Sequence, residues 1–462
     1  MRLIREEKTF IREAVLLMLP MILQNFVTFS MSMADTFMVG VLGETALAAV
    51  TMANSPFYVM QLMIFGVQSG MSVLVAQYHG RGDQEAINRV MGIALFVSTT
   101  ITGLLAITAF CIPEQIMRVL TNNADLVAPG AAYTRYVGFS YFFSAISGVY
   151  IAAQRSTENP RLGAVLLTVS GALNIFLNWV LIYGKLGFPM LGVRGAAIAT
   201  VLSRYVEFGL ILLGTHGKKT PPRFIRGLYR GFAIPGHLAG QIVRKGMPLL
   251  VNEMFWSLGM TMLTQCYSYR GLDAIAALNI NSTVLNLFNT VIFTMGNTVG
   301  IIIGNLLGAE EYDRARNYCP KLAALSCAAS AAVGVVMFLV APYAPRLYNT
   351  SHEIMTLAAS LMRICALMLP VHAVVNAAYW TIRAGGRTYI TMLSDSVFTW
   401  VVSVPIAWVL IHKTGLPLVE AYLFVNLADL IKMVIGIVLL RRGIWVRNIV
   451  TGEEIAAGNA AG

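Results

Sequence analysis

The stretch MSMADTFMVG (31–40) contains a single carboxylate, Asp35, within a run from Ala14 to Gly43 that has no other charged side chain. A charge deep in an apolar span costs about 3 kcal/mol on insertion scales, and such residues usually serve a function. Because a carboxylate can carry a proton or bind Na⁺, we predict that Asp35 is a proton- or cation-binding group. A structural hydrogen-bond acceptor and a hydrated group near the outer surface are the alternatives.

Two asparagines supply further ligands of the kind that such a site needs. Asn174 and Asn178 lie four residues apart in LNIFLNW (173–179), so they share one face of a helix. Their amide oxygens can complete the shell of a cation, whereas hydrogen bonding between helices is the structural alternative. We predict a cation-coupling group of Asp35, Asn174 and Asn178, which is also the one place where we expect a metal ion, Na⁺.

Glu253 and Asp395 are candidates for a second site in the later half of the chain. Neither has an oppositely charged residue near it in the sequence, and proximity to the inner surface is the alternative for both. Aromatic faces attract organic cations, although packing is the commoner role of aromatic residues in a membrane protein. The candidates for lining a substrate cavity are Gln24, Asn25, Tyr133, Tyr136, Phe139, Asn252 and Asn281.

Two other pairs of charges within apolar stretches are predicted to be structural. Arg204 and Glu207 are three residues apart, as are Asp429 and Lys432. Residues at this spacing meet on a helix surface, so each pair can neutralise itself.

The composition indicates which elements must position these residues. Apolar residues make up 57% of the 462 and charged residues 12%, against roughly 45–50% and about 25% in soluble domains. Apolar windows of roughly 20 residues, enough to cross a bilayer, recur along the chain. We predict an all-α polytopic membrane protein with twelve transmembrane helices. The predicted spans are about 14–38, 46–77, 90–112, 131–153, 162–184, 193–213, 246–267, 274–306, 319–342, 354–381, 389–411 and 418–440.

The formal charge of +11 is explained by how the chain is oriented in the membrane. Most Lys and Arg residues fall in segments that face the cytoplasm if both termini are inside, as the positive-inside rule requires. We therefore expect cytoplasmic termini and a lipid bilayer, with no nucleic acid, as the partner. The five cysteines are scattered, and no cluster of His, Asp or Cys suits a membrane-embedded hydrolase or transferase. We expect no enzyme activity and no organic cofactor.

The chain repeats itself at an offset of 228 residues. Chance matches of apolar residues mean little, but matched Pro, Gly and Arg at one offset indicate a duplication. The pairs include Pro20 with Pro248, Gly80 with Gly308, Arg155 with Arg383, Gly187 with Gly415, and Arg204 with Lys432. Six spans per copy is an even number, so the copies share one orientation and the repeat is parallel.

The repeat predicts the domain organisation. We expect an N-terminal six-helix lobe at 1–217, a cytoplasmic inter-lobe linker at 218–245, a C-terminal six-helix lobe at 246–450 and a cytoplasmic tail at 451–462. Asp35 has Leu263 as its counterpart. A requirement of the fold alone should act on both copies, so this asymmetry favours a functional role for Asp35.

Several segments resemble the multidrug and toxic compound extrusion (MATE) family over nearly the whole chain. They are ADTFMVGVLGETALAAV (34–50), LVAQYHGRGD (74–83) and GNLLGAEEYDRAR (304–316). MPLLVNEMFWSLG (247–259) and WVRN (445–448) resemble the bacterial DinF-like branch of that family.

The resemblance implies two six-helix lobes that form a V in a bacterial plasma membrane. It implies efflux of organic cations and amphipathic toxins by alternating access, coupled to H⁺ or Na⁺, and we expect a monomer. The family's first-helix aspartate falls on Asp35 and its fifth-helix polar pair on Asn174 and Asn178. Some DinF-like members have aspartate where Asn178 stands. Because this chain has asparagine there, the resemblance to their proton scheme is weaker, and Na⁺ remains an alternative coupling ion. Glu253 lies closer to its preceding proline than the corresponding NorM-like glutamate, and the tenth span has no acid.

A flippase or exporter of a lipid-linked or polyisoprenoid-linked saccharide is the alternative function. The lumen of such a transporter often carries several basic residues for phosphate groups. Arg204 and Lys432 are the basic residues well inside the predicted spans, which disfavours this alternative.

Overall fold

The structure of this protein is a computed structural model that describes residues 2–121, 123–216, 225, 236–348 and 350–450. Most of the predicted linker 218–245 and the whole of the predicted tail 451–462 lie outside these residues. Regular structure in the described ranges is helical.

Helices α1 to α8 occupy the first half of the described chain, and α9 to α16 the second. The first eight are α1 Arg2–Gly40, α2 Glu44–Ala53, α3 Ser55–Arg81, α4 Gln84–Cys111, α5 Pro113–Leu120, α6 Ala124–Ser156, α7 Arg161–Tyr183 and α8 Val193–His216. The others are α9 Gly236–Ser268, α10 Leu272–Gly308, α11 Tyr312–Val340, α12 His352–Ala384, α13 Thr388–Met392, α14 Val404–Lys413, α15 Leu418–Leu427 and α16 Asp429–Arg441. A 3₁₀ turn spans Ala344–Leu347, and π-helical turns span Leu393–Val397 and Thr399–Ser403.

Eleven helical segments in the described residues are long and apolar enough to cross a membrane. They correspond to every predicted span except the seventh. That span lies within α9, which has 33 residues and begins ten residues before the predicted start. Its length suffices for a crossing, but Asn252 and Glu253 lie at its centre and make it less apolar than the others.

Polar side chains within the helices bond mainly to their own backbone. Thr28 donates to the carbonyl of Gln24, and Thr102 to that of Ser98, at 2.9 and 2.7 Å. A hydroxyl that bonds to the carbonyl one turn earlier leaves no unsatisfied donor in hydrocarbon. Asp83 caps the start of α4 by accepting from the backbone of Ala86. These local bonds let polar residues reside in membrane-spanning helices.

The chain divides into two compact units. One comprises residues 1–75 and 83–246, and the other 76–82 and 247–462. Helix α6 packs against α2, α4, α5 and α8 in the first unit, and α12 packs against α10, α11, α15 and α16 in the second. These two central helices each have 33 residues and begin 228 residues apart, at Ala124 and His352. The helix boundaries therefore confirm the predicted repeat.

The copies differ in how regular their helices are. The second predicted span is interrupted at Asn54, between α2 and α3, whereas its counterpart α10 is continuous. The eleventh span contains the two π-helical turns, while α7, its counterpart, is an uninterrupted α-helix. A π-helical turn inserts an extra residue and changes which side chains share a face.

A glycine contact joins α10 to the end of α3 within the second unit. A Cβ added to Gly80 would lie 1.9 Å from the carbonyl oxygen of Asn305, and one added to Gly308 would lie 1.9 Å from that of Gln77. Gly80 and Gly308 are repeat counterparts, as are Gln77 and Asn305. The contact is therefore reciprocal, and each helix needs glycine for its backbone to approach the other.

Candidate functional site

Asp35 and Asn178 are joined by a hydrogen bond between α1 and α7, which pack against each other. The Asn178 amide donates from Nδ2 to Asp35 Oδ1 and also to Asn174 Oδ1, at 3.2 Å for the second contact. Both asparagines are buried and Asp35 is half-buried. The structure thus brings together the three residues of the predicted coupling group.

Two polar atoms of this group have no hydrogen-bond partner. They are Asn174 Nδ2 and Asn178 Oδ1, and both are buried. Buried polar atoms are nearly always bonded, so these two atoms have bonding capacity that the protein itself does not use. Asn178 Oδ1 and the carboxylate of Asp35 are oxygen ligands of the kind that a hard cation prefers. The same carboxylate could instead hold a proton, and the geometry accommodates either ion.

A neighbouring hydrogen bond joins the two helices that carry this group, and a second joins α6 to the residue between α2 and α3. The Tyr183 hydroxyl of α7 donates to the carbonyl of Met38, one turn beyond Asp35 on α1, at 3.1 Å. The Tyr141 hydroxyl of α6 donates to Asn54 Oδ1 at 3.2 Å. The first bond holds α7 against α1 next to Asp35, which limits how far the carboxylate and the amides can separate.

The predicted pair of Arg204 and Glu207 is confirmed. Their side chains are 2.7 Å apart on α8, and the Ser170 hydroxyl of α7 donates to the same Glu207 oxygen at 2.8 Å. Sequence reasoning missed Ser170, although Ser170, Asn174 and Asn178 follow one another at intervals of four residues. That spacing is the signal that could have found it, because it places all three on one face of α7.

Gln24 has a different environment from Asp35. Its Nε2 donates to the carbonyl of Pro160 at 2.7 Å, and its Oε1 accepts from Arg155 Nε at 2.6 Å. Eleven residues separate Gln24 from Asp35 along α1, which is about 16 Å of helix. The structure therefore does not bring Gln24 together with the coupling group. Asn25, next to it, is half-buried.

The aromatic candidates on α6 divide by exposure. Tyr133 is buried in an apolar cluster with Phe57 and Met117. Tyr136 and Phe139 have 39% and 38% of their surface exposed, which in a membrane helix is compatible with contact to lipid or to a substrate. The cavity role of all three stays a prediction.

In the second unit, Asn252 and Asp395 belong to one polar network. Asn252 Nδ2 lies 3.3 Å from Asp395 Oδ2 and 3.4 Å from the Tyr379 hydroxyl. Ser396 donates to the backbone oxygen of Asn252 at 2.7 Å and to its Oδ1 at 2.6 Å. Helix α9, helix α12 and the first π-helical turn meet at this network. Sequence reasoning missed Tyr379 and Ser396, for which no repeat or spacing gave a signal.

Asp395 has no oppositely charged residue near it in the sequence, but the structure places one beside it. Lys432 Nζ lies 3.2 Å from Asp395 Oδ1, closer than the 3.9 Å that separates it from Asp429 on its own helix. The carboxylate of Asp429 in turn accepts from His372 Nε2 at 3.0 Å. The predicted pair of Asp429 and Lys432 is therefore part of a larger cluster. The sequence could not show this, since Asp395 and Lys432 are 37 residues apart and lie on different helices.

Glu253 and Asn281 are the remaining candidates in the second unit. Glu253 is half-buried, and the charges of Arg383 and Asp395 act on it. Asn281 is buried, and its Nδ2 donates to the Tyr422 hydroxyl at 3.2 Å. Their assignments to a second site and a substrate cavity stay predictions.

The MatE family model matches the chain twice, over residues 20–180 and 248–409. The two matches begin 228 residues apart, which is the offset of the repeat, and together they cover more than half of the chain. The chain belongs to the MatE family.

Curated MatE relatives extend over almost the entire chain. One is the probable multidrug resistance protein NorM of Thermotoga maritima, 25% identical over 97% of this chain and 96% of its own length. Another is the probable multidrug resistance protein YoeA of Bacillus subtilis, 24% identical over 89% of each chain. Neither name distinguishes the DinF-like branch, so that part of the resemblance stays a prediction.

A solved structure of a MATE transporter has a similar fold. A multidrug resistance MATE family transporter of the MOP superfamily, in an outward-facing conformation, has a TM-score of 0.85 with this chain at 22% identity. The alignment covers 94% of this chain and 95% of that one. With its apolar helices, this MatE chain is a multi-pass membrane protein of a transporter fold.

Proposed function

We propose that this protein is a multidrug efflux antiporter that exports organic cations and amphipathic toxins in exchange for H⁺ or Na⁺. The names of the NorM and YoeA relatives support the drug substrates. The observation that carries the coupling is the contact of Asp35 with Asn178 and Asn174, with two orphaned amide atoms beside the carboxylate.

The mechanism follows from where this group sits. Asp35 belongs to α1 and the asparagines to α7, so an ion that binds them acts on the packing of two helices at once. An ion shifts a conformational equilibrium only if it binds the two conformations with different affinity. We infer that H⁺ or Na⁺ at Asp35 favours the α1–α7 arrangement from which the drug is released outside. The inferred setting is a bacterial plasma membrane with both termini in the cytoplasm and no organic cofactor.

The test uses purified protein in proteoliposomes loaded with a fluorescent organic cation. A pH gradient and a Na⁺ gradient are imposed separately, on the wild type, Asp35→Asn and Glu44→Gln. The last variant is a matched control, because Glu44 is an exposed carboxylate on the neighbouring helix α2. We expect one gradient to drive dye movement in the wild type and in Glu44→Gln. We expect Asp35→Asn to lose at least ten-fold in rate, which corresponds to about 1.4 kcal/mol or more in activation free energy.

Normal gradient-driven efflux by Asp35→Asn would remove Asp35 from the coupling mechanism. Absence of dye movement in the wild type under both gradients would contradict antiport of organic cations. Assay of a lipid-linked saccharide would then be the next step.

A further inference from the structure

The ammonium group of Lys432 lies in a pocket of oxygen atoms in the second unit. Nζ is 3.2 Å from Asp395 Oδ1, 3.5 Å from Thr399 Oγ1 and 3.9 Å from Asp429 Oδ1. The ring of Phe398 lies 5.3 Å from Nζ and adds a cation–π contact. Only 10% of the Lys432 side chain is exposed, so this charge depends on the protein for its solvation.

The eleventh span, α16 and α9 together form this environment. Asp395 and Thr399 come from the two π-helical turns, Asp429 precedes Lys432 on α16, and Asn252 of α9 holds the second oxygen of Asp395. Carboxylate and hydroxyl oxygens that converge from several elements form the kind of shell that a hard cation prefers. Here that shell surrounds a side chain of the same charge as Na⁺.

We propose that Lys432 is a tethered substitute for a bound cation: its ammonium fills a site that would otherwise bind Na⁺, so the second unit takes up no coupling ion. The charge balance supports this assignment. Lys432 offsets one of the two carboxylates, and exchange of the ammonium for Na⁺ would leave the net charge of the cluster unchanged. Na⁺ is therefore a replacement that conserves the charge of the cluster.

The inference goes beyond the proposed antiport and is tested by binding rather than by transport. Asp35→Asn serves as the background, so that the first unit contributes no signal. Equilibrium binding of ²²Na⁺ is measured on purified protein in detergent for this background alone and for the background with Lys432→Met, Lys432→Gln or Lys432→Arg. Arginine is the matched control because it keeps the positive charge.

We expect no saturable Na⁺ binding by the background or by the Lys432→Arg protein, and a single saturable site in the Met and Gln proteins. A further Asp395→Asn substitution should abolish that site. Na⁺ should also raise the thermal stability of the Met and Gln proteins but not of the Arg protein, because a ligand that binds only the folded state stabilises it.

Two results would overturn the proposal. The first is Na⁺ binding by the background that Asp395→Asn removes, since the site would then be open despite Lys432. The second is a lack of Na⁺ binding by the Met and Gln proteins. If both proteins unfold without Na⁺ and remain unfolded with it, the ion cannot replace the ammonium, and the proposal fails in the same way.

Discussion

Arg204 in the first unit and Lys432 in the second are repeat counterparts, but their charges are neutralised differently. Arg204 pairs with Glu207 on its own helix at 2.7 Å, whereas Lys432 pairs most closely with Asp395 on a different helix at 3.2 Å. The counterpart of Glu207 is Ile435, and that of Asp395 is Leu167. The repeat therefore specifies the position of the cation in each unit but not the position of the acid.

This difference has a structural consequence. A pair within one helix keeps its geometry for as long as the helix persists. A pair between helices persists only while those helices stay packed together. The contact of Lys432 with Asp395 therefore ties α16 to the π-helical turns of the eleventh span, whereas the pair of Arg204 and Glu207 is bonded to α7 by the Ser170 hydroxyl.

Asp35 and Asp395 both lie within apolar spans, and their carboxylates are also neutralised differently. Asp35 is held by an amide, while Asp395 is held by an ammonium. An amide leaves the negative charge of a carboxylate to be met by a mobile ion, whereas a fixed ammonium already meets it. This difference is why we propose ion exchange at the first unit and a fixed charge at the second.

The largest expected effect is the loss of stability when the basic side chain of Arg204 or Lys432 is replaced. Replacement of Arg204 by Met leaves Glu207, whose side chain is 2% exposed, without a counter-charge. Breaking a buried pair in this way costs about 3–5 kcal/mol. Lys432→Met should lower the free energy of unfolding by less, because Asn252 still contacts Asp395 and His372 still contacts Asp429. Denaturant unfolding in detergent, followed by tryptophan fluorescence, measures both losses.

The double variant Arg204→Met/Glu207→Leu is the control for this comparison. It removes both charges and should recover most of the stability lost by Arg204→Met, because no unpaired charge remains. Equal losses for Arg204→Met and Lys432→Met would contradict the distinction between the two pairs.

The next effect tests the reciprocal glycine contact. Gly80→Ala and Gly308→Ala each place a Cβ against backbone atoms at 1.9 Å. Backbone cannot swing aside as a side chain does, so we expect each to cost about 3 kcal/mol, the upper end for overpacking. Similar losses at both positions would show that the two copies share this contact equally. The same unfolding assay applies.

Gly92→Ala in α4 is the matched control, because nothing lies within 4 Å of an added Cβ there. Alanine in a helix interior is favoured over glycine by about 0.5–1 kcal/mol, so this variant should be slightly more stable than the wild type. A loss at Gly92 as large as at Gly80 would mean that helix α4 is more tightly packed than its open surroundings indicate.

Local and periodic features of the fold could be predicted from the sequence. Hydropathy identified the spans because each must be apolar over its own length, and the repeat offset matched the bounds of α6 and α12. The group of Asp35, Asn174 and Asn178 could be predicted because the helical spacing of the asparagines is local and the family resemblance pointed to all three.

The second unit was harder to predict for a physical reason. The contact of Asp395 with Lys432 depends on how two helices are rotated about their axes, and the π-helical turns change that rotation without a recognisable sequence pattern. Gln24 lies on α1 with Asp35, but its amide bonds to Arg155 and Pro160. Sequence spacing along one helix does not show which neighbours lie beside each turn.

The smallest effect compares a serine in each unit. Ser170 donates to the carboxylate of Glu207, and Ser396 donates to the oxygens of Asn252, which are neutral. Hydrogen bonds to charged groups contribute about 1.5–3 kcal/mol and neutral ones about 0.5–1.5 kcal/mol. Ser170→Ala should therefore destabilise the protein by about 1 kcal/mol more than Ser396→Ala. Both serines are buried, so the two substitutions leave similar small cavities, and each serves as the control for the other. Unfolding free energies that are equal within error, or reversed in order, would show that the charge of Glu207 is already satisfied by Arg204 without help from α7.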